Sequence, residues 1–348
     1  MISQKLSDSL RIANLFCTVL VIAIHYNTKH DMDLIDGLTW NYYFQEFLTN
    51  GIARISVPFF ALVAGFFFFL SYKNISSYPS ALKKRTYSIF IPYILASSLI
   101  LIVDYSYGKI IWSSTEHITS QIFESIFLKP VSIQFWFLRD LIFLILISPV
   151  IFIAVRQFKL WVVLPFLVLW LIDIEVTPLL ADRNIITIET FSYFVLGGYL
   201  SQNKKIFEML IEVLSKRMTL YIFLVYIILC ISRVFIDPEM ANWYVNRYEF
   251  HTLIIQNTSI FIGVFLVIKL SSFVIFDRLI FLSQFTFFVY LFHVKPLSYG
   301  VGKLTSFFIS DAYKFYLTFP LATIVIFIVA YLLKKRMPVV NKVLSGNR

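Results

Sequence analysis

A histidine closes the first long apolar run of this chain, residues 11–26 (RIANLFCTVLVIAIHY), and a cation, Arg11, stands at the other end. In a helix that turns about 100° and rises about 1.5 Å per residue, Arg11 and His25 lie roughly 40° apart around the axis and roughly 21 Å apart along it. They therefore share a face. An ionisable group inside a bilayer span is costly, so His25 reads as a functional group facing a bundle interior or a wet cavity. The plainer alternative is a histidine hydrogen-bonded to a neighbouring helix. An imidazole changes charge near neutral pH, and the chemistry it suits is general-base catalysis.

Other costly side chains recur in later apolar runs. Arg54 precedes Ser56 and Pro58 in IARISVPFF, where the proline removes one ladder bond and frees a carbonyl near the cation. That stretch reads as a polar vestibule, or else Arg54 snorkels to headgroup phosphates. Lys83, Lys84 and Arg85 precede Pro92-Tyr93; such a cluster serves topology or anionic lipid, or holds the phosphates of a cytosolic donor. Arg139 and Asp140 follow Trp136, and adjacent positions on a helix point about 100° apart. Each is expected to find its partner on another helix rather than neutralise the other. Glu189, Arg233 and His293, the last in YLFHVKP, complete the set.

The elements that must position these groups are transmembrane helices. Of 348 residues, 59% are hydrophobic and only 14% charged, and mean hydropathy is +0.80. These values predict an all-α, polytopic helical bundle. About ten apolar windows of spanning length can be drawn, near residues 11–29, 52–72, 87–106, 135–155, 159–174, 187–203, 219–236, 252–272, 279–297 and 313–333. The net charge of +10 follows from Lys and Arg gathered in alternate loops, which argues for membrane topology rather than nucleic-acid binding and predicts both termini cytoplasmic. Residues 1–336 read as one membrane domain, followed by a short basic tail, 337–348. The outer loops then carry Asp31, Asp33, Asp36, Glu46, Asp237 and Glu239 among Trp40, Trp112 and Trp243, as a lid, a sugar platform or an interfacial aromatic belt. Residues 204–217 suit a short helix on the inner leaflet, or a plain connector. With this topology His25, Arg54, Arg139, Asp140, Arg233 and His293 all fall in the outer part of the membrane, at similar depth on unrelated spans. Cys17 and Cys230 sit in apolar runs and read as small buried hydrophobes.

In their order and spacing several stretches resemble the membrane acyltransferase-3 family. They are His25 in the first span, Arg54-Ile-Ser-Val-Pro58-Phe-Phe with Gly65, Arg85 leading to Pro92-Tyr93, Trp136-Phe137-Leu138 with Pro149, Leu196-Gly197-Gly198-Tyr199, and residues 283–293 ending in Tyr290-Leu291-Phe292-His293. The resemblance implies an integral-membrane enzyme of the bacterial inner membrane that moves an acyl group, commonly acetyl, from acyl-coenzyme A to a hydroxyl of a surface polysaccharide or its lipid-linked precursor. Acetyl-coenzyme A, or another acyl-coenzyme A, would be a co-substrate; no permanently bound cofactor or metal is implied. The family commonly has an arginine where this chain has Asn14, and often a second arginine where it has Ser88. Arg11, Asn14, Lys84 and Arg85 are thus expected at the donor phosphates. His25 is expected as base, Arg54 or Arg139 as charge stabiliser and Asp140 as orienting group. Trp136, Glu189, Arg233 and His293 are expected near the substrate. A transporter or flippase of a lipid-linked glycan would place the same charges along a substrate path, but the absence of an internal repeat counts against it.

Overall fold

The computed structural model describes residues 2–28, 39–72, 74–109, 118–174, 185–236 and 249–346. Among these residues all regular structure is helical, and seven helical stretches are long and apolar enough to cross a membrane. The first, α1 (Gln4–His25), begins at Ser3, whose hydroxyl accepts from the Leu6 N–H at 3.3 Å. The second runs without a break over Trp40–Ser71: α2 (Trp40–Glu46), a π-helical turn (Phe47–Gly51), a 3₁₀ turn (Ile52–Ile55) and α3 (Ser56–Ser71). The third covers Ile75–Ser106, with α4 (Tyr78–Arg85), a π-helical turn (Thr86–Phe90) and α5 (Ile91–Ser106). After the short α6 (Ile118–Phe123) come α7 (Phe135–Phe158), α8 (Leu160–Leu171), α9 (Ile188–Gln202), α10 (Lys204–Glu212), α11 (Lys216–Ile236) and α12 (Phe250–Ser271). The chain closes with α13 (Asp277–Ser283), α14 (Thr286–Phe292), α15 (Leu297–Thr305), α16 (Phe315–Arg336) and α17 (Pro338–Leu344).

Three of the ten expected windows form shorter helices. Those over 159–174 and 187–203 are α8 and α9, with 12 and 15 residues; they reach only about 18 and 23 Å, against a hydrocarbon core of about 30 Å. The window over 279–297 breaks at Gln284-Phe285 into α13 and α14, of 7 residues each. Apolar content alone did not separate a helix of spanning length from a shorter one.

Two segments expected outside the bundle belong to it. Residues 40–51 are helical rather than loop, and Glu46 is fully buried. The expected tail folds into α17 and packs on α5; Gly346, at φ +67°, lies against the Ser88 carbonyl, where a Cβ would sit 2.2 Å from that oxygen. Of the other loop residues singled out, Asp31, Asp33, Asp36, Trp112, Asp237, Glu239 and Trp243 lie outside the described residues.

The bundle centres on α3 and α9, which pack backbone against backbone. A Cβ on Gly65 would stand 2.1 Å from the Phe194 carbonyl oxygen, and one on Gly197 2.1 Å from that of Leu62. Small residues at such crossings let membrane helices gain van der Waals contact along their length. α1 packs against α3, α12 and the broken α13–α14 pair, which brings the first histidine and the last to one place.

Candidate active site

α1 and α14 run side by side in the same direction and are tied at three levels. Asn14 Nδ2 donates to Thr286 Oγ1 at 2.5 Å. The His25 and His293 rings lie 5.2 Å apart, centroid to centroid, inclined at 49°. One residue beyond, the Tyr26 hydroxyl donates to the His293 carbonyl at 2.7 Å. His293 is fully buried; its Nδ1 lies 2.9 Å from the Tyr290 carbonyl and 3.2 Å from that of Val289. Two carbonyls accept only, so Nδ1 carries the proton and Nε2 keeps a lone pair. That Nε2 is buried with no hydrogen-bond partner among the described residues. The site therefore holds two imidazoles in contact, with a basic nitrogen fixed on the second.

Below the pair lies a cavity of about 320 Å³, within the range of small-molecule sites. α1 contributes Leu10, Arg11, Asn14 and Thr18 to its wall, α3 contributes Phe60, Val63, Ala64, Phe67 and Phe68, and α7 contributes Phe137, Leu138, Leu141 and Ile145. Arg85 and Arg11 mark one end; the Arg85 guanidinium stacks 5.7 Å over the Phe68 ring, and Arg11 lies 3.8 Å from Asp8. At the other end Tyr290 packs against Phe60 and Phe137, centroids 6.0 and 6.1 Å away, and against His293 at 5.9 Å. A cation-ended, mostly apolar cleft thus leads to the histidine pair.

Arg54 lies on the 3₁₀ turn Ile52–Ile55, which packs against α1, the helix that ends at His25. The Arg54 Nε donates to Asn50 Oδ1 at 2.9 Å, and its Nη2 donates to the same oxygen. Asn50 Nδ2 in turn donates to both Glu46 oxygens at 2.9 and 2.8 Å, and Glu46 forms a buried ion pair with Arg233. Arg233 therefore lies at the far end of a buried row that reaches the site through Arg54. Neither Glu46 nor Asn50 stands out as a site residue in the sequence, although 46, 50 and 54 repeat at the i, i+4 spacing of one helix face.

Arg139 and Asp140 pair with each other, contrary to expectation. The Arg139 Nη2 lies 2.9 Å from Asp140 Oδ1, because a long side chain folds back across the 100° between them. Arg139 also donates to the Leu128 carbonyl at 2.7 Å, and Asp140 accepts from the Thr187 N–H at 3.1 Å. Both are buried and neither lines the cavity. Glu189 accepts from Trp170 Nε1 at 3.3 Å, and Trp136 packs on Phe137 at 6.2 Å; neither lines the cavity. Lys84 is exposed and outside it.

No curated protein and no solved structure matches this chain. Residues 8–335, nearly its whole length, match the model of a family described as an acyltransferase domain, and that stretch spans every residue of the histidine pair, the cavity and the Arg54 row. The chain belongs to the acyltransferase-3 family of membrane acyltransferases.

Proposed function

We propose that this acyltransferase moves an acyl group, acetyl in the first instance, from acyl-coenzyme A to a sugar hydroxyl of a surface glycan or its lipid-linked precursor at the bacterial plasma membrane. The observation that carries the reading is the cavity with Arg11 and Arg85 at one end and the His25–His293 pair beyond its other end. A long, thin donor with phosphates at its head and a thioester at its tip suits that shape. Arg85 and Arg11 would hold the phosphates, with Asn14 beside them in place of the usual cation. The lysine and arginine distribution supports a cytosolic cation end.

His25 removes the proton from the sugar hydroxyl, and the oxygen attacks the thioester carbonyl. The C–O bond forms while negative charge collects on the carbonyl oxygen, which Arg54 stabilises. Collapse breaks the C–S bond, and the coenzyme A thiolate takes the proton from the His25 imidazolium. Asn14 lines the pocket, and His293 fixes the place of His25 by packing on it.

The test is purified protein in lipid nanodiscs with radiolabelled acetyl-coenzyme A and the lipid-linked glycan fraction of host membranes. Label is expected in an alkali-labile ester on the glycan, and His25→Ala should abolish it while the protein stays folded. Unchanged surface O-acylation in cells lacking the gene would overturn the glycan reading. Glycan translocation with no ester formed would favour a flippase instead.

A further inference from the structure

Resting on the reading of Arg54 as the oxyanion-stabilising cation, we infer that Asn50 and Glu46 are positioning residues of this acyl transfer, which hold Arg54 against His25 through a buried row of side chains anchored on Arg233. Asn50 Oδ1 receives two N–H groups of Arg54. An acceptor shared by Nε and Nη2 fixes the plane of the guanidinium as well as its place. The amide is fixed in turn, because both Glu46 oxygens accept from its Nδ2. This settles which way the amide faces: its nitrogen toward the carboxylate and its oxygen toward the arginine. Glu46 is completely buried, and the equally buried Arg233 on α11 meets its charge.

The backbone that carries the row is braced independently. Gln256 on α12 donates to the Asn50 carbonyl at 3.0 Å. The Tyr226 hydroxyl on α11 donates to the Ile52 carbonyl at 3.2 Å. Those carbonyls belong to the π turn and the 3₁₀ turn, where the i, i+4 ladder is interrupted and Arg54 takes its phase relative to α1. Of the row, Arg54 is the member on the turn that packs against α1, and Asn50, Glu46 and Arg233 follow behind it in that order, so whatever they do for the reaction they do through Arg54. A guanidinium displaced by about 1 Å from a developing oxyanion costs about 100-fold in rate.

The test is a double-mutant cycle on the nanodisc protein, with radiolabelled acetyl-coenzyme A and the lipid-linked glycan fraction as probes. Asn50→Leu keeps the volume and deletes both hydrogen bonds; it should lower kcat about 100-fold with little change in KM for acetyl-coenzyme A. In an Arg54→Ala background the same change should cost less than about 3-fold, the scale of additivity error. Because a leucine there leaves the buried carboxylate short of a donor, a second variant guards against simple misfolding. Glu46→Gln with Arg233→Met removes both charges of the pair together, which spares the fold an unpaired ion; it should also lower kcat, and again not in the Arg54→Ala background. Equal losses in both backgrounds, or a full kcat in Asn50→Leu, would overturn the inference while transfer by the wild type leaves the proposed function standing. Absence of transfer by the wild type would overturn both.

Discussion

The α3–α9 crossing makes the sharpest stability prediction, because its contact is backbone on backbone. An alanine methyl at Gly65 would lie 2.1 Å from the Phe194 carbonyl oxygen, where ordinary contact begins near 3.4 Å. No rotamer relieves that overlap, so the two helices must part by about 1.3 Å at the crossing, forfeiting dispersion contact along the seam. Overpacking of this kind costs up to about 3 kcal/mol, and the better helix propensity of alanine returns about 1 kcal/mol. Gly65→Ala should therefore lose about 2 kcal/mol net, by the same two principles. Gly197→Ala meets the mirror contact with Leu62 and should lose as much, whereas Gly198→Ala meets only the Phe69 ring edge at 2.9 Å, which can turn aside. A methyl added at Gly302 on α15 would meet nothing within 4 Å, so Gly302→Ala should be neutral or slightly stabilising. Unfolding in detergent micelles, followed by circular dichroism, ranks the four. The Gly65→Ala/Gly197→Ala double variant should lose less than the sum, since one parting admits both methyls. A Gly65→Ala protein no less stable than Gly302→Ala would refute the reasoning.

Arg85→Ala should raise KM for acetyl-coenzyme A about 10-fold or more with a smaller effect on kcat, because its charge sits at the cavity end away from the histidines. Lys84→Ala, exposed and outside the cavity, should leave KM within about 2-fold in the same thiol-release assay. Asp140→Ala strands the buried Arg139 charge and should cost about 3–5 kcal/mol, measured as a loss of folded protein; activity per folded molecule should stay within a few-fold of wild type. Tyr290→Phe removes the hydroxyl that donates to the buried Gln134 carbonyl and should cost about 1–3 kcal/mol of stability, read by the same micelle unfolding.

Hydropathy made the all-helical membrane class legible, and helical periodicity put Arg11 and His25 on one face. Both features survive: Arg11 lines the cavity and His25 meets His293 beyond it. Interhelical partners were not legible. Nothing local in residues 14 and 286, or 46 and 233, tells that they touch, because those contacts depend on which helices neighbour each other. Glu46 was missed for a different reason. A carboxylate beside Trp40 and two tyrosines looks like an interfacial loop until the helix is followed back to Trp40 and Arg233 is seen against it.

Costly charges in a membrane chain attract a catalytic interpretation, yet several here serve helix ends. The first N–H groups of α9 have no partner within the helix and must find one elsewhere. Asp140 accepts from the Thr187 N–H at that start, and its partner Arg139 donates to the Leu128 carbonyl at the end of the π turn Glu124–Leu128. Lys269 does the same for the Ile211 carbonyl in the last turn of α10. An interrupted helix needs such groups whether or not any reaction occurs nearby. Depth in the membrane therefore does not mark a site residue; contact with the cavity or with a group that acts at it does. Of the sequence candidates, Arg11 and Arg85 line the cavity and His25 packs against His293 beyond it, whereas the Arg139–Asp140 pair joins α7 to the start of α9.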